Sequence, residues 1–82
     1  MEVCFAPNPA HQTLYLNYDL TDHQHAHIQL FDLTGRAIYR QALTEKGNLS
    51  IDVSNWANGI YYYQITSHKG MVRSDKISII NP

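Results

Sequence analysis

The sequence predicts an all-β domain, an immunoglobulin-like antiparallel β-sandwich of about seven strands. Apolar and polar residues alternate over short stretches along most of the chain, which is typical of half-buried strands. The four glycines, at positions 35, 47, 59 and 70, follow one another at intervals of 12, 12 and 11 residues. Strands separated by turn residues at such regular spacing favour a sandwich. No stretch has a convincing helical period.

Length and composition bound the possible functions. The 82 residues fit one domain, 1–82, with one small core. A formal net charge of -1 gives no electrostatic reason to expect nucleic acid or an anionic membrane as partner. The only cysteine, Cys4, cannot form an internal disulfide, and we expect it to be a small buried hydrophobic residue. No apolar run approaches the roughly 20 residues of a spanning helix, so we expect no membrane insertion.

Three strands are expected in the first part of the chain. A short edge strand at residues 3–5 precedes a bend at the PNP sequence of residues 7–9, because two prolines remove two ladder donors. The second strand spans residues 13–18, and the third follows a polar loop at residues 19–23. By alternation, one face of these two strands is apolar and carries Leu14, Leu16, Tyr18, Ala26, Ile28 and Leu30.

A hairpin turn is expected at the DLTG sequence of residues 32–35. An aspartate can accept hydrogen bonds from the backbone two residues on, and a glycine can adopt the positive φ of a tight turn. A fourth strand, roughly 36–43, should follow. We expect the KGN sequence at residues 46–48 to form the next turn, and a fifth strand with Leu49, Ile51 and Val53 on one face to end near Ser54.

The last part of the chain contains the most apolar strands. The crossover at residues 55–59 ends in the turn pair NG, and Trp56 is expected to cover the end of the core. In the sixth strand Tyr61, Tyr63 and Ile65 share a face, and the opposite face is also apolar at its start, which favours a central strand. The HKG sequence at residues 68–70 makes a turn before the final strand, roughly 71–80.

A metal site is conceivable at His23, His25 and His27, which alternate along the sequence. Side chains two residues apart on one strand face lie about 6.5–7 Å apart, close enough to share a zinc ion. The simpler interpretation is a solvated polar face, because no carboxylate or cysteine stands close by to complete the ligand set. We expect no metal and no other cofactor.

Some residues of the chain could in principle serve catalysis or sugar binding. A nucleophile could come from Cys4, which however lacks an electropositive setting, and the possible acid–base carboxylates are Asp19, Asp22, Asp32 and Asp52. We therefore expect no enzyme activity. A carbohydrate-binding or adhesion module could stack sugars on tyrosines, but alternation places Tyr61 and Tyr63 in the core and leaves Tyr62 as the exposed ring of the cluster.

Five short motifs occur in a recognisable order. They are PNPA at residues 7–10, LFDLTGR at 30–36, IDVS at 51–54, NGIY at 58–61 and KISII at 76–80. In this order and spacing the sequence resembles the C-terminal sorting domains of cargo proteins of the bacterial type IX (Por) secretion system, from about Phe5 to Ile80. Two departures are the ending Asn81-Pro82, where many members have a basic residue, and Cys4 in place of a larger apolar residue.

The resemblance implies the role of a non-catalytic export label. The chain would be the end of a longer precursor with an upstream signal peptide, and its cargo would cross the periplasm and outer membrane to be secreted or held at the cell surface. The implied partners are the type IX translocon, its shuttle proteins and, where the label is removed, a sortase-like cysteine peptidase.

The resemblance also implies which residues the translocon recognises. The positions that match the family motifs are Gly35, Arg36, Gly59, Tyr61, Lys76, Ile77, Ile79 and Ile80. We expect the last strand to matter most, because a terminal edge strand is easily presented to a partner. Arg36 is the expected direct contact, whereas Gly35, Gly59 and Tyr61 serve either recognition or the fold alone. Gly47 and Gly70 are expected to be plain turn residues.

Overall fold

The computed structural model describes residues 2–21 and 25–81, and within these ranges the chain folds into seven strands and no helix. The strands are β1 (Glu2–His11), β2 (Thr13–Asp19), β3 (His27–Phe31), β4 (Ala37–Ala42), β5 (Lys46–Asp52), β6 (Gly59–Ser67) and β7 (Gly70–Ile79). No helix in the described part of the chain is long and apolar enough to cross a membrane.

Two antiparallel sheets make up the fold, which confirms the predicted sandwich. The three-stranded sheet has the order β1–β2–β5. The four-stranded sheet has the order β4–β3–β6–β7, so that β6 is central as its two apolar faces predict. A single parallel residue pair, Ala10 with Ile79, joins the end of β1 to β7. The last strand therefore lies at the border of the four-stranded sheet.

The core lies between the two sheets and consists of the side chains that alternation places inward. Leu14 and Leu16 of one sheet and Ile28, Leu30 and Ile65 of the other are fully buried. The complete buried set among the described residues is Leu14, Leu16, Tyr18, Leu20, Ala26, Ile28, Leu30, Leu43, Ile51, Val53, Tyr61, Tyr63, Ile65, Ile77 and Ile79. Trp56 packs against one end of this core, with its ring centroid 5.2 Å from that of Tyr61. The predicted position of the tryptophan is thus confirmed.

Strand β1 is longer than the predicted segment at residues 3–5. Its ladder with β2 is regular from Glu2 to Ala6 and then shifts before His11, in the interval that contains the two prolines. Cys4 is exposed, not buried as expected, because its neighbours Val3 and Phe5 pack against the core. Alternation along the strand therefore places the thiol on the outside.

The turn predicted at residues 46–48 is wrong, because Gly47 lies inside β5 and pairs with Tyr18 of β2. A Cβ atom at position 47 would lie 3.3 Å from the Tyr18 hydroxyl oxygen, so the glycine makes room for that side chain. The connection from β4 to β5 is instead the 43–45 segment, which passes from one sheet to the other. By contrast, Gly35 and Gly70 have φ values of +87° and +100° in the predicted hairpin turns.

Candidate functional site

The turn between β3 and β4 is organised around the carboxylate of Asp32. Its Oδ1 atom accepts hydrogen bonds from the backbone N–H groups of Thr34 at 2.9 Å and Arg36 at 3.1 Å, and from the Thr34 hydroxyl at 2.5 Å. The Gly35 N–H donates to the Asp32 carbonyl at 3.0 Å, which closes the turn. The hairpin turn predicted at residues 32–35, with the aspartate accepting backbone hydrogen bonds from residues further on, is therefore observed.

Arg36 has a local partner that the sequence did not indicate. Its Nε atom lies 3.3 Å from Asp32 Oδ2, while the arginine side chain stays 78% exposed. The Thr34 hydroxyl is the main cause that lowers the pKa of Asp32, and the N–H of Arg36 and the arginine charge act in the same direction. Asp32 is thus charged and fully engaged, whereas most of the guanidinium remains available to a partner.

The second motif, at residues 58–61, forms the entry to β6. Gly59 has a φ of +148°, which a residue with a side chain rarely adopts. The Tyr61 hydroxyl donates to the carbonyl of Ala57 at 2.6 Å, four residues upstream, an arrangement similar to the tyrosine corner of immunoglobulin-like sandwiches. Tyr61 itself is only 7% exposed. The fold therefore accounts for both residues, Gly59 through its positive φ and Tyr61 through its buried and hydrogen-bonded side chain.

Asn81, which follows β7, ties the end of the chain to the β1–β2 bend and to the crossover between β5 and β6. Its Nδ2 atom donates to the carbonyls of Val53 at 2.9 Å and Trp56 at 3.0 Å, and its Oδ1 atom accepts from the N–H of Gln12 at 2.9 Å. Asn58 completes the arrangement, since its Oδ1 accepts from the Asn81 N–H at 2.7 Å and its Nδ2 donates to the Asn81 carbonyl at 3.1 Å. This role was missed because the partners are 23 to 69 positions away in the sequence.

The residues of the last motif divide into buried and exposed positions. Ile77 and Ile79 are 1% and 0% exposed, so they cannot touch a partner while the domain is folded. Ile80 is 55% exposed, and Lys76 is exposed as well. Of the eight residues expected in recognition, those with side chains open to a partner are therefore Arg36, Lys76 and Ile80.

The three motifs meet on one side of the four-stranded sheet. A shallow groove of about 220 Å³ is lined by the 32–34 segment and by the 58–61 motif. A larger open groove of about 560 Å³ is lined by Phe31, Leu33, Gly35, Tyr62 and Lys76, among others. These three of the five sequence motifs thus contribute to one continuous surface that runs from the β3–β4 turn to the last strand.

The histidines do not form the predicted row on one strand. β3 begins at His27, because His25 has a φ of +57° and lies in a bend, and His23 lies outside the described residues. The Nε2 atom of His27 is hydrogen-bonded to the Thr66 hydroxyl at 2.8 Å. Among the described residues, no three histidine, cysteine or acidic side chains come close enough to hold a metal ion.

The carboxylates considered for catalysis are mostly engaged in local turns. Asp19 Oδ1 accepts from the hydroxyl and N–H of Thr21, and Asp52 Oδ1 accepts from the Ser54 N–H at 3.0 Å. Asp22 lies outside the described residues. The pKa values of Asp19 and Asp52 are lowered, chiefly by the hydroxyl groups of Thr21 and Ser54. These local hydrogen bonds explain why aspartates stand at positions 19 and 52, where they stabilise the chain turns that follow.

Tyr62 is not the only exposed tyrosine, because Tyr15 is 52% exposed and Tyr62 45%. The two rings project from different sheets: Tyr15 pairs with Ser50 in the three-stranded sheet, and Tyr62 pairs with Lys76 in the four-stranded sheet. One sugar ring could not stack on both. The structure therefore provides no shared platform of these two tyrosines for a carbohydrate.

Comparisons with known proteins agree with the fold and the motifs. A family model described as a secretion system C-terminal sorting domain matches residues 5–80. Among solved structures, the chain is similar to a crystal structure of dimeric latent PorU from Porphyromonas gingivalis, with a TM-score of 0.72 and 18% sequence identity. The match covers 98% of this chain and 9% of that chain. Among curated proteins no sequence matches significantly. Since the family model covers nearly the whole sequence, the chain belongs to the C-terminal sorting domains of the type IX secretion system.

Proposed function

We propose that the translocon binds this domain in its folded state, on the side that carries β7, and that Arg36, Lys76 and Ile80 are direct contacts. Membership of the family implies export of the attached protein across the outer membrane, to the cell surface or the medium. The proposal adds the surface on which that recognition depends. In this role the chain is a ligand of the export machinery and not an enzyme.

One observation carries the proposal, namely that three of the five family motifs, at residues 30–36, 58–61 and 76–80, contribute to one continuous surface. The turn at residues 32–36 lies in one groove with the start of β6 and in another with Lys76 of β7. Motifs that served the fold alone would not need to share an exposed surface. Lys76 and Gly35, the neighbour of Arg36, line the larger groove. The exposed side chains of Arg36, Lys76 and Ile80 would offer a partner two positive charges and an apolar contact.

The buried motif residues act through the fold in this proposal. Gly59 sets the backbone at the entry to β6, Tyr61 closes the preceding loop, and Ile77 and Ile79 fill the core. Gly35 permits the positive φ of the turn that holds Arg36 in place. Their loss would abolish recognition by unfolding or shifting the surface, without any of them touching the translocon.

The wider partners follow from the same proposal. Shuttle proteins that accompany cargo would read the same folded surface. A sortase-like cysteine peptidase would cut upstream of β1 in those precursors from which the label is removed. The cargo itself would be synthesised with an upstream signal peptide and would remain passive in recognition.

The proposal can be tested by separating the surface from the fold. Residues 1–82 are fused behind a fluorescent protein with a signal peptide, and export is measured in a host with a type IX translocon. The Arg36→Ala/Ile80→Ser double variant should stay folded, because both side chains are exposed, yet export several-fold less reporter. Tyr15→Ala on the other sheet is the matched control and should export normally. Wild-type export by the folded double variant would contradict the proposed contacts.

A further inference from the structure

We propose that the outer face of the four-stranded sheet binds an apolar protein segment flanked by carboxylates, contributed by the outer-membrane export machinery. This inference rests on the proposed function and specifies the chemistry of the partner. It concerns the face of the sheet, beyond the family motifs themselves.

The register of the strands identifies the side chains on this face. Residues directly opposite each other on neighbouring strands share a face. Because Leu30 and Tyr63 form a buried pair, the next pair along, Phe31 with Tyr62, points outward, and Tyr62 in turn pairs with Lys76. One row therefore crosses the sheet from Phe31 through Tyr62 to Lys76. The next outward-facing row consists of Arg40, Gln29, Gln64 and Ser74.

The centre of this face is apolar and accessible. Leu33 is 67% exposed at the β3–β4 turn, and Tyr62 is 45% exposed beside the half-buried ring of Phe31. All three line the open groove of about 560 Å³ together with Lys76. Large apolar side chains gathered in one groove, as opposed to scattered singly, mark a surface that binds something.

The charged side chains at the outward register positions of this face are positive. At the outward register positions of the described strands the charged side chains are Arg40 on β4 and Lys76 on β7, and none is acidic. Asp32 lines the groove, but its oxygens are taken up by Thr34 and Arg36. Asp75 lies opposite Tyr63 in the register, yet its side chain is exposed and also lines the groove, where its Oδ1 atom accepts a hydrogen bond from the N–H of Lys76 at 2.8 Å. Arg40 and Lys76, the cations at the outward positions, are the side chains that carboxylates of a partner would pair with.

The outer face of the three-stranded sheet has the opposite character. Its described outward positions include Asp19 and Asp52 against one cation, Lys46, which pairs with Asp19. Tyr15 stands there between Ala6 and Ser50, without a large apolar neighbour in its row. Charge complementarity and apolar surface therefore coincide on one face of the sandwich, and that face also carries the β3–β4 turn of the family motif.

The spacing of the strands indicates how the partner would lie. Neighbouring strands are about 4.8 Å apart, so β4 and β7 lie about 14 Å from each other, and the two-residue offset along the strands brings the separation of Arg40 and Lys76 to about 16 Å. A partner segment crossing the strands would set an apolar side chain against Leu33 and Tyr62 and carboxylates near Arg40 and Lys76. Two separated cations around an apolar centre suit such a peptide better than a polyanion, which would require a dense basic cluster.

The test measures binding of the purified 82-residue domain to the purified, detergent-solubilised type IX translocon of the host. We expect the Arg40→Glu/Lys76→Glu variant to bind about tenfold more weakly, since two charge pairs at an interface are lost and reversed. Leu33→Asp should weaken binding to a similar extent. The charge-matched control Lys46→Glu/Lys69→Glu alters exposed residues elsewhere and should bind within about twofold of wild type. Thermal unfolding of every variant establishes that it is folded.

Each outcome decides the inference. Selective loss in the Arg40/Lys76 and Leu33 variants supports it. Equally weakened binding by the control pair would show that net charge alone causes the loss, and this would overturn the inference. Unchanged binding by all variants would overturn it as well. Preferential binding of the same face to vesicles containing 30% phosphatidylglycerol, with no binding to the translocon, would assign the surface to lipid instead. Absence of translocon binding by the wild-type domain would overturn the proposed function as well. Failure of the proposed function is thereby distinguished from failure of this inference alone, in which the wild-type domain binds.

Discussion

Asn81 holds the end of the chain to the rest of the domain at the scale of single residues. Its side chain bonds to the β1–β2 bend and to the crossover between β5 and β6, and its backbone bonds to Asn58. The last strand thus ends in a polar clasp that joins both sheets.

Replacement of Asn81 by alanine should destabilise the domain. The carbonyls of Val53 and Trp56 would lose a donor, and leaving partly buried polar groups unsatisfied costs about 1–3 kcal/mol. We expect the free energy of unfolding, measured by urea denaturation, to fall by about 2 kcal/mol. Asn55→Ala, which changes an exposed asparagine of the same crossover, should cost less than about 0.5 kcal/mol. Equal effects of the two variants would contradict the clasp.

Gly47 and Tyr18 form a second coupled pair at this scale. The Tyr18 hydroxyl is held 3.0 Å from the Thr44 hydroxyl, and the added Cβ of an alanine at position 47 would press on it. We expect Gly47→Ala to cost about 1 kcal/mol in the wild-type background. In a Tyr18→Phe background the hydroxyl is gone, so the same change should cost nothing or stabilise the strand. A double-mutant cycle by urea denaturation measures this coupling, and strictly additive effects would refute it.

Three aspartates organise turns and chain reversals at the scale of the elements. Asp19, Asp32 and Asp52 each accept hydrogen bonds from residues two positions on, and each has a lowered pKa. A carboxyl whose pKa is lower in the folded state binds fewer protons there than in the unfolded chain. The stability that such a carboxylate contributes is therefore fully present above its ordinary pKa. It is lost as the pH falls through the lowered pKa of the folded state.

The stability of the domain should accordingly fall between about pH 5 and pH 2. Asp32→Asn should make this fall less steep, because an amide oxygen can still accept from the Thr34 N–H but does not titrate. Urea midpoints measured at several pH values for both proteins provide the comparison. A pH dependence in the variant as steep as in the wild type would show that Asp32 contributes nothing to it.

The last motif, at residues 76–80, carries two kinds of isoleucine. Ile77 is 1% exposed and Ile80 is 55% exposed, although the two stand three positions apart in the same motif. Ile77→Ala should lower the free energy of unfolding by about 3 kcal/mol, the usual cost of truncating a core side chain. Ile80→Ala should change it by less than about 0.5 kcal/mol. Comparable losses in urea denaturation would show that Ile80 is part of the core and not of the contact surface.

At the scale of the whole molecule, local patterns predicted most of the fold. Alternation placed the inward faces of β2, β3 and β6 correctly, and the chemistry of Asp32 and Gly35 predicted their turn. Gly47 was misplaced because a glycine that makes room for the Tyr18 hydroxyl is indistinguishable in sequence from a turn glycine. The clasp of Asn81 and the grouping of Leu33, Tyr62 and Lys76 depend on contacts between distant segments, which no local pattern records.

The central claim, that this folded domain is an export label for the type IX translocon, has one direct test. Residues 1–82 are fused to a fluorescent protein with a signal peptide and expressed in otherwise identical cells with and without the translocon. We predict protease-accessible fluorescence at the cell surface or in the medium only when the translocon is present, and retention in the periplasm without it. Equal export in the two strains would contradict the claim.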